Sequence, residues 1–198
     1  MRRRESLPKK GPAIIIANHN SHLDTMVLMS LFPLRMLKNV RPVAAMDYFM
    51  ANPLVSWFSS KIIGIVPLAR KKSRDDETLD ERFATLYEAL DDDQIVILFP
   101  EGSRGDPETL STLKTGIAHI ASAYPKVDIY PVFFYGLGKV LPKGEALLVP
   151  FFCDGWVGSS FRWQGDKSKF MAEMNQKFEE LSSEFRRSRG KNQETDEN

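Results

Sequence analysis

Residues 13–17 read Ala13-Ile14-Ile15-Ile16-Ala17, an apolar run with three consecutive isoleucines. β-Branched side chains are stiff at χ1 and fit a pleated surface, so the run predicts a strand. No polar residue interrupts it at alternate positions. That absence predicts burial on both faces, as for an inner strand of a parallel sheet. Ile95-Val96-Ile97-Leu98-Phe99 repeats the pattern. Around these strands lie segments with helical spacing. Residues 23–37 form one, broken by Pro33. Leu79, Phe83, Leu86 and Leu90 mark a second, with acids in its first turn where they complement the helix dipole. Leu110, Leu113, Ile117 and Ile120 mark a third, and Phe170, Met174, Phe178, Leu181 and Phe185 a last one. A further helix is expected from Asn52-Pro53 toward Ile62. More strands are expected at residues 41–46, 63–68, 129–135 and 146–152. The last two contain Pro131 and Pro150, which points to sheet edges or bulges. Strands alternating with helices give an α/β class with a largely parallel sheet.

At 198 residues the chain is most simply one domain, here residues 1–189, followed by a polar tail at 190–198 expected to be disordered. A composition 42% hydrophobic and 27% charged is that of a globular chain. Cys153 is the single cysteine, so no internal disulfide can form and a reducing compartment fits. No signal peptide and no membrane-spanning run is read, so a cytoplasmic chain is expected. Residues 1–74 carry 13 Lys/Arg against 3 Asp/Glu, although the whole chain is only +1. A basic first third predicts an anionic partner: phosphate groups, an anionic membrane surface or an acidic carrier protein. No nucleic-acid-binding motif is present, so nucleic acid is not an expected partner.

Two short motifs carry chemistry. Asn18-His19-Asn20-Ser21-His22-Leu23-Asp24 follows the first strand. With His19 on the loop and Asp24 in the first turn of the next helix, the carboxylate can hold one imidazole nitrogen and make the other a general base. Asn20 or Ser21 can cap that helix. His22 is a second candidate base, ranked lower because it lies inside the expected helix, two residues from Asp24. Phe99-Pro100-Glu101-Gly102-Ser103-Arg104 follows the second buried strand. Ligands bind at the carboxyl ends of such strands, and Arg104 can grip a phosphate bidentately. Arg70, ending a strand, and Lys114, near a helix start, are further candidate phosphate ligands. His119 reads as a residue of an apolar helix. There is no metal-ligand spacing and no Gly-x-Ser-x-Gly elbow, which disfavours a metal centre and a serine hydrolase.

Taken together, these residues resemble the glycerolipid acyltransferase family, of 1-acylglycerol-3-phosphate acyltransferase type. The first motif is similar to its NHxSxxD box and residues 99–104 to its FPEG(T/S)R block. Gly64 to Arg70 resembles its glycine–arginine block, Leu113-Lys114-Thr115-Gly116 its lysine–glycine element, and Ile129-Tyr130-Pro131-Val132 its short fourth block. The resemblance implies a single-domain αβ sandwich with a mixed, largely parallel sheet. It also implies acyl transfer from acyl-CoA or acyl carrier protein to the free hydroxyl of a lysophospholipid, with these thioesters as co-substrates and no cofactor. In that scheme His19 is the general base and Asp24 orients it. Arg70, Arg104 and Lys114 hold phosphate with Gly102 and Ser103 of the turn, and Glu101 orders the substrate glycerol or the Arg104 turn. A non-catalytic phospholipid-binding domain and an acyl thioesterase are the alternatives. Many family members carry hydrophobic helices before the first box, whereas the 17 residues before Asn18 are mostly polar. Peripheral attachment to a membrane through the body of the protein is therefore expected, with residues 32–41, 48–61 and 151–163 as candidates.

Overall fold

The computed structural model describes residues 1–21, 23–45, 64–68, 78–105, 109–137 and 153–196. The strands are β1 (Ala13–Ala17), β2 (Val40–Ala45), β3 (Val66–Leu68), β4 (Ile95–Leu98), β5 (Asp128–Tyr135) and β6 (Asp154–Val157). They form one sheet in the order β3-β2-β4-β1-β5-β6. Every pairing is parallel except β5 with β6, so the sheet is mixed and largely parallel. The helices are α1 (Leu23–Ser30), α2 (Leu79–Asp91), α3 (Gly116–Ala123) and α4 (Lys167–Asp196), with 3-10 turns at Arg4–Ser6 and Leu34–Asn39.

β1 is buried over its whole length because both sheet faces are covered. Ile14 and Ile16 join Phe83 and Leu86 of α2, Ile117 and Ile120 of α3, and Phe170 and Phe178 of α4. Ala13, Ile15 and Ala17 join Leu28 of α1 and Phe32 on the other face. Successive side chains point to opposite faces, so two cores require the unbroken apolar run. Truncating Ile15 to Ala would cost about 2–5 kcal/mol, the range for a fully buried aliphatic side chain. Thr78 starts α2 with a capping box: its hydroxyl accepts from Glu81 N while the Glu81 carboxylate accepts from Thr78 N. The apolar face of α4 is buried as the spacing requires. The helix runs on to Asp196, past the polar residues after Arg189, many of which are adequate helix formers.

Three readings need correction. β5 is an inner strand despite Pro131, because it pairs with both β1 and β6. A residue's N–H and C=O point to the same side of a strand, and Pro131 O accepts from Gly158 N, just past the end of β6. The missing N–H therefore faces Gly158, where the ladder with β6 ends, so it costs a bond only at that end and leaves the pairing of Val132 to Tyr135 intact. β6 itself was not read as a strand, since Asp154 and Gly155 are poor strand formers. α3 begins only at Gly116, and Leu110 and Leu113 precede it. Lys114 N donates to Pro100 O at 2.8 Å, which ties this approach to the turn after β4. The strand expected at 146–152 and the helix expected after Asn52 lie outside the described residues.

β1 and β4 are neighbours, with Ile16 opposite Leu98. The chain leaves β1 for α1 on one face of the sheet and leaves β4 for α3 on the other. Loops that diverge in this way leave a crevice at the carboxyl ends of the two strands. Among the described residues, no helix is long and apolar enough to cross a membrane.

Candidate active site

The crevice is built from the loop after β1 and the turn after β4. Asn18, the first loop residue, is buried and bonds twice to the β5 backbone. Its Nδ2 donates to Phe134 O at 2.9 Å, and Phe134 N donates to its Oδ1 at 2.7 Å. This amide holds the loop to the sheet and sets the position of the next residue, His19. The imidazole stacks on Phe99, the residue after β4, with ring centroids 4.2 Å apart. Its Nδ1 lies 2.9 Å from Asp24 Oδ2. With the carboxylate as acceptor, Nδ1 carries the proton and Nε2 is left as the acceptor nitrogen of the ring.

Asp24 is fully buried in the first turn of α1. Its Oδ2 also accepts from Asn20 N at 2.7 Å and Ser21 N at 2.8 Å. Ser21 Oγ in turn accepts from Leu23 N at 3.2 Å. Three donors on one oxygen are what a buried carboxylate needs to offset its lost hydration. Asp24 Oδ1 is buried and has no hydrogen-bond partner. Partial burial and, second, the charge of Asp24 hold the Cys153 thiol above its usual range, so this exposed cysteine beside β6 lies within electrostatic reach of the pair.

Glu101 is the second buried acid. Its Oε1 accepts from His19 N at 2.7 Å and its Oε2 from Ser111 N at 3.0 Å. One carboxylate thus clamps the histidine loop to the segment that leads into α3. Gly102 turns with φ 71°, a region L side chains rarely adopt. Lys114 lies over it, with Nζ 2.6 Å from where a Cβ would sit. Gly105 N donates to His19 O at 2.9 Å, and a Cβ there would meet Ser111 Oγ at 2.5 Å. Arg104, half-buried, immediately precedes this contact, and Ser103 is exposed on the same turn.

The structure therefore brings His19, Asp24, Glu101, Gly102, Arg104 and Lys114 to one corner of the sheet. Arg70 and His22 lie outside the described residues. His119 is elsewhere, paired with Asp80 across α2 and α3. Asn18, Phe99 and Ser111 position the site but were assigned no role from sequence. Asn18 and Phe99 stand at the edges of the two motifs, and that adjacency was the available signal. Among the described residues, no group of three or more His, Cys, Asp or Glu is placed to hold a metal ion.

This arrangement can be set beside known proteins. Residues 1–135 match the family model Acyltransferase. The chain is 32% identical over 142 residues to the chloroplastic 1-acyl-sn-glycerol-3-phosphate acyltransferase of Arabidopsis thaliana, covering 71% of this chain and 37% of the relative. It is 29% identical to 1-acyl-sn-glycerol-3-phosphate acyltransferase alpha of Mus musculus, over 70% of this chain and 45% of that one. A probable 1-acyl-sn-glycerol-3-phosphate acyltransferase of Mycoplasma genitalium is 30% identical, over 68% and 48%. The chain thus spans less than half the length of these relatives. The crystal structure of the 1-acyl-sn-glycerophosphate acyltransferase PlsC from Thermotoga maritima shares the fold, with a TM-score of 0.69 at 17% identity, over 91% of this chain and 69% of that one. Since the matched region holds both motif loops and more than half of the residues, this chain belongs to the Acyltransferase family.

Proposed function

We propose that the chain transfers an acyl group from an acyl thioester, acyl-CoA or acyl carrier protein, to the free hydroxyl of a lysophospholipid. The simplest acceptor is 1-acylglycerol-3-phosphate, giving phosphatidate. The observation that carries this reading is the His19–Asp24 pair at the carboxyl ends of β1 and β4, beside a turn bearing Arg104 and Lys114. A base next to cations suits a hydroxyl nucleophile on a phosphate-bearing molecule. The names of the relatives support the same acceptor.

In this scheme His19 Nε2 takes the proton of the acceptor hydroxyl as its oxygen bonds to the thioester carbonyl carbon. Asp24 stabilises the imidazolium that forms. The tetrahedral oxyanion collapses, the C–S bond breaks, and the imidazolium proton goes to the departing thiolate sulfur. Arg104 and Lys114 hold the acceptor phosphate, with Arg70 as a further candidate. Glu101 acts on the protein itself: both of its oxygens are engaged by backbone N–H groups that fix the loops carrying His19 and Lys114.

The test is an assay of the purified chain with both thioester donors and 1-acylglycerol-3-phosphate, following phosphatidate and free thiol together. Equal amounts of both are expected, lost in His19→Ala. Thiol release with free fatty acid in place of phosphatidate would mean that water is the acceptor and overturn the transferase reading. No release from either donor would overturn catalysis altogether.

A further inference from the structure

We infer that the outward face of α1 and of the 3-10 turn after it is the surface that docks this protein on an anionic phospholipid bilayer. The inference rests on the proposed function for its motive, because a lysophospholipid acceptor resides in a membrane. Its physical grounds are separate. Among the described residues, Met26 and Leu34 are the most exposed large apolar side chains, at 66% and 85%. Asp24 and Leu28 are the buried residues of α1. Met26 lies two residues from each, about 200° around the helix, so it points away from the core. Leu34 directly follows the exposed Pro33 and begins the turn Leu34–Asn39, which has no buried residue.

Cations accompany Leu34. Arg35 and Lys38 are exposed on the same turn, and no Asp or Glu occurs from Thr25 to Ala45. Arg4 adds its charge from the N-terminal segment, its Nε donating to Leu31 O at 2.7 Å. Single protruding apolar side chains among cations suit a bilayer interface, where the tips enter the acyl boundary and the cations meet anionic headgroups. Because α1 also carries Asp24, the docking face lies about one helix diameter, roughly 10 Å, from the His19–Asp24 pair.

The experiment is co-sedimentation of the full chain with phosphatidylcholine vesicles, with and without phosphatidylglycerol. The variants are Met26→Glu/Leu34→Glu and Arg35→Glu/Lys38→Glu, all at exposed positions. The wild type is expected to prefer the anionic vesicles. The apolar double variant should lower partitioning about tenfold or more on all vesicles, as expected for losing two inserting side chains. The charge variant should lower it at least fivefold on anionic vesicles only, with a weaker salt dependence. Transfer to a short-chain, monomeric lysophosphatidate should be unchanged in both variants. Absence of such transfer in the wild type would refute the proposed function and leave the docking result standing. Wild-type partitioning in both variants would overturn the docking surface. So would intact vesicle binding with loss confined to transfer from acyl carrier protein, since the face would then receive an acidic protein.

Discussion

His19 and Asp24 meet at 2.9 Å, whereas His119 and Asp80 meet at 2.7 Å. By distance alone the second pair is the tighter one. Their surroundings differ, most of all at the carboxylate. Asp24 is fully buried, and the oxygen facing His19 also takes two backbone N–H groups. The Asp80 side chain is 70% exposed, and its oxygen also accepts from Tyr87 OH at 3.2 Å. His19 stacks on Phe99 at 4.2 Å, but His119 lies tilted beside Phe83 at 6.0 Å. The first imidazole is fixed by a loop that Asn18 and Glu101 tie to the sheet, and it sits in the crevice between β1 and β4. The second lies at the outer edge of α3, one-third exposed, beside an Asp80 that is mostly in solvent. An exposed ion pair is worth little, because water screens it and both side chains lose freedom in making it. A buried pair with further donors is preorganised, which general-base chemistry requires.

Removing each histidine should separate the two pairs most strongly. His19→Ala is expected to lower transfer by at least about 10²-fold, the lower range for general-base help, with the fold retained. His119→Ala should leave transfer within about twofold, the range of a neutral surface change. Equal losses would erase the distinction. Asp24→Asn against Asp80→Asn sharpens it. The first should favour the wrong imidazole tautomer and lower kcat by about 10²- to 10⁴-fold with little change in acceptor KM. The second should alter neither constant. A rise in KM alone for Asp24→Asn would make Asp24 a binding residue.

Arg104→Ala tests the anion side of the crevice. Losing a charge-assisted contact should raise KM for the phosphate-bearing acceptor about 10- to 100-fold, with the donor KM unchanged. Equal rises for both substrates would remove the phosphate role. The smallest effect belongs to the exposed pair. The hydrogen bond from His119, opposed by desolvation and aided by Tyr87, holds the Asp80 carboxyl below its ordinary value of 3.8. Its contribution to stability is therefore present above that ordinary value and lost as pH falls through the lower folded value. Thermal melts of the wild type and Asp80→Asn should differ slightly at neutral pH and converge in acid. Curves that diverge in acid would contradict that sign.

Much of the fold was legible because its information is local. The isoleucines of β1 show their two-sided burial directly, and Phe170 to Phe185 show the buried face of α4. β6 was not legible, because Asp154-Gly155-Trp156-Val157 is a strand only by pairing with Val132 to Tyr135, far away in sequence. Pro131 misled for the same reason: whether a missing N–H matters depends on which neighbour ends beside it. In the site, His19 and Asp24 were visible as a motif five residues apart. The engagement of both Glu101 oxygens with the backbone at His19 and Ser111 was not, since motif spacing does not reveal which oxygens are already bonded.

The proposed mechanism needs burial and the Asp24 hydrogen bond to hold His19 with its proton on Nδ1, leaving Nε2 to act as base. Nitrogen-15 NMR of the imidazole rings at alkaline pH reads this directly without substrate, with His19, His22 and His119 assigned by single substitutions. A His19 ring almost wholly in the Nδ1–H tautomer is expected, with that preference lost in Asp24→Asn. A His19 ring in the Nε2–H tautomer, or one unchanged by Asp24→Asn, would contradict it.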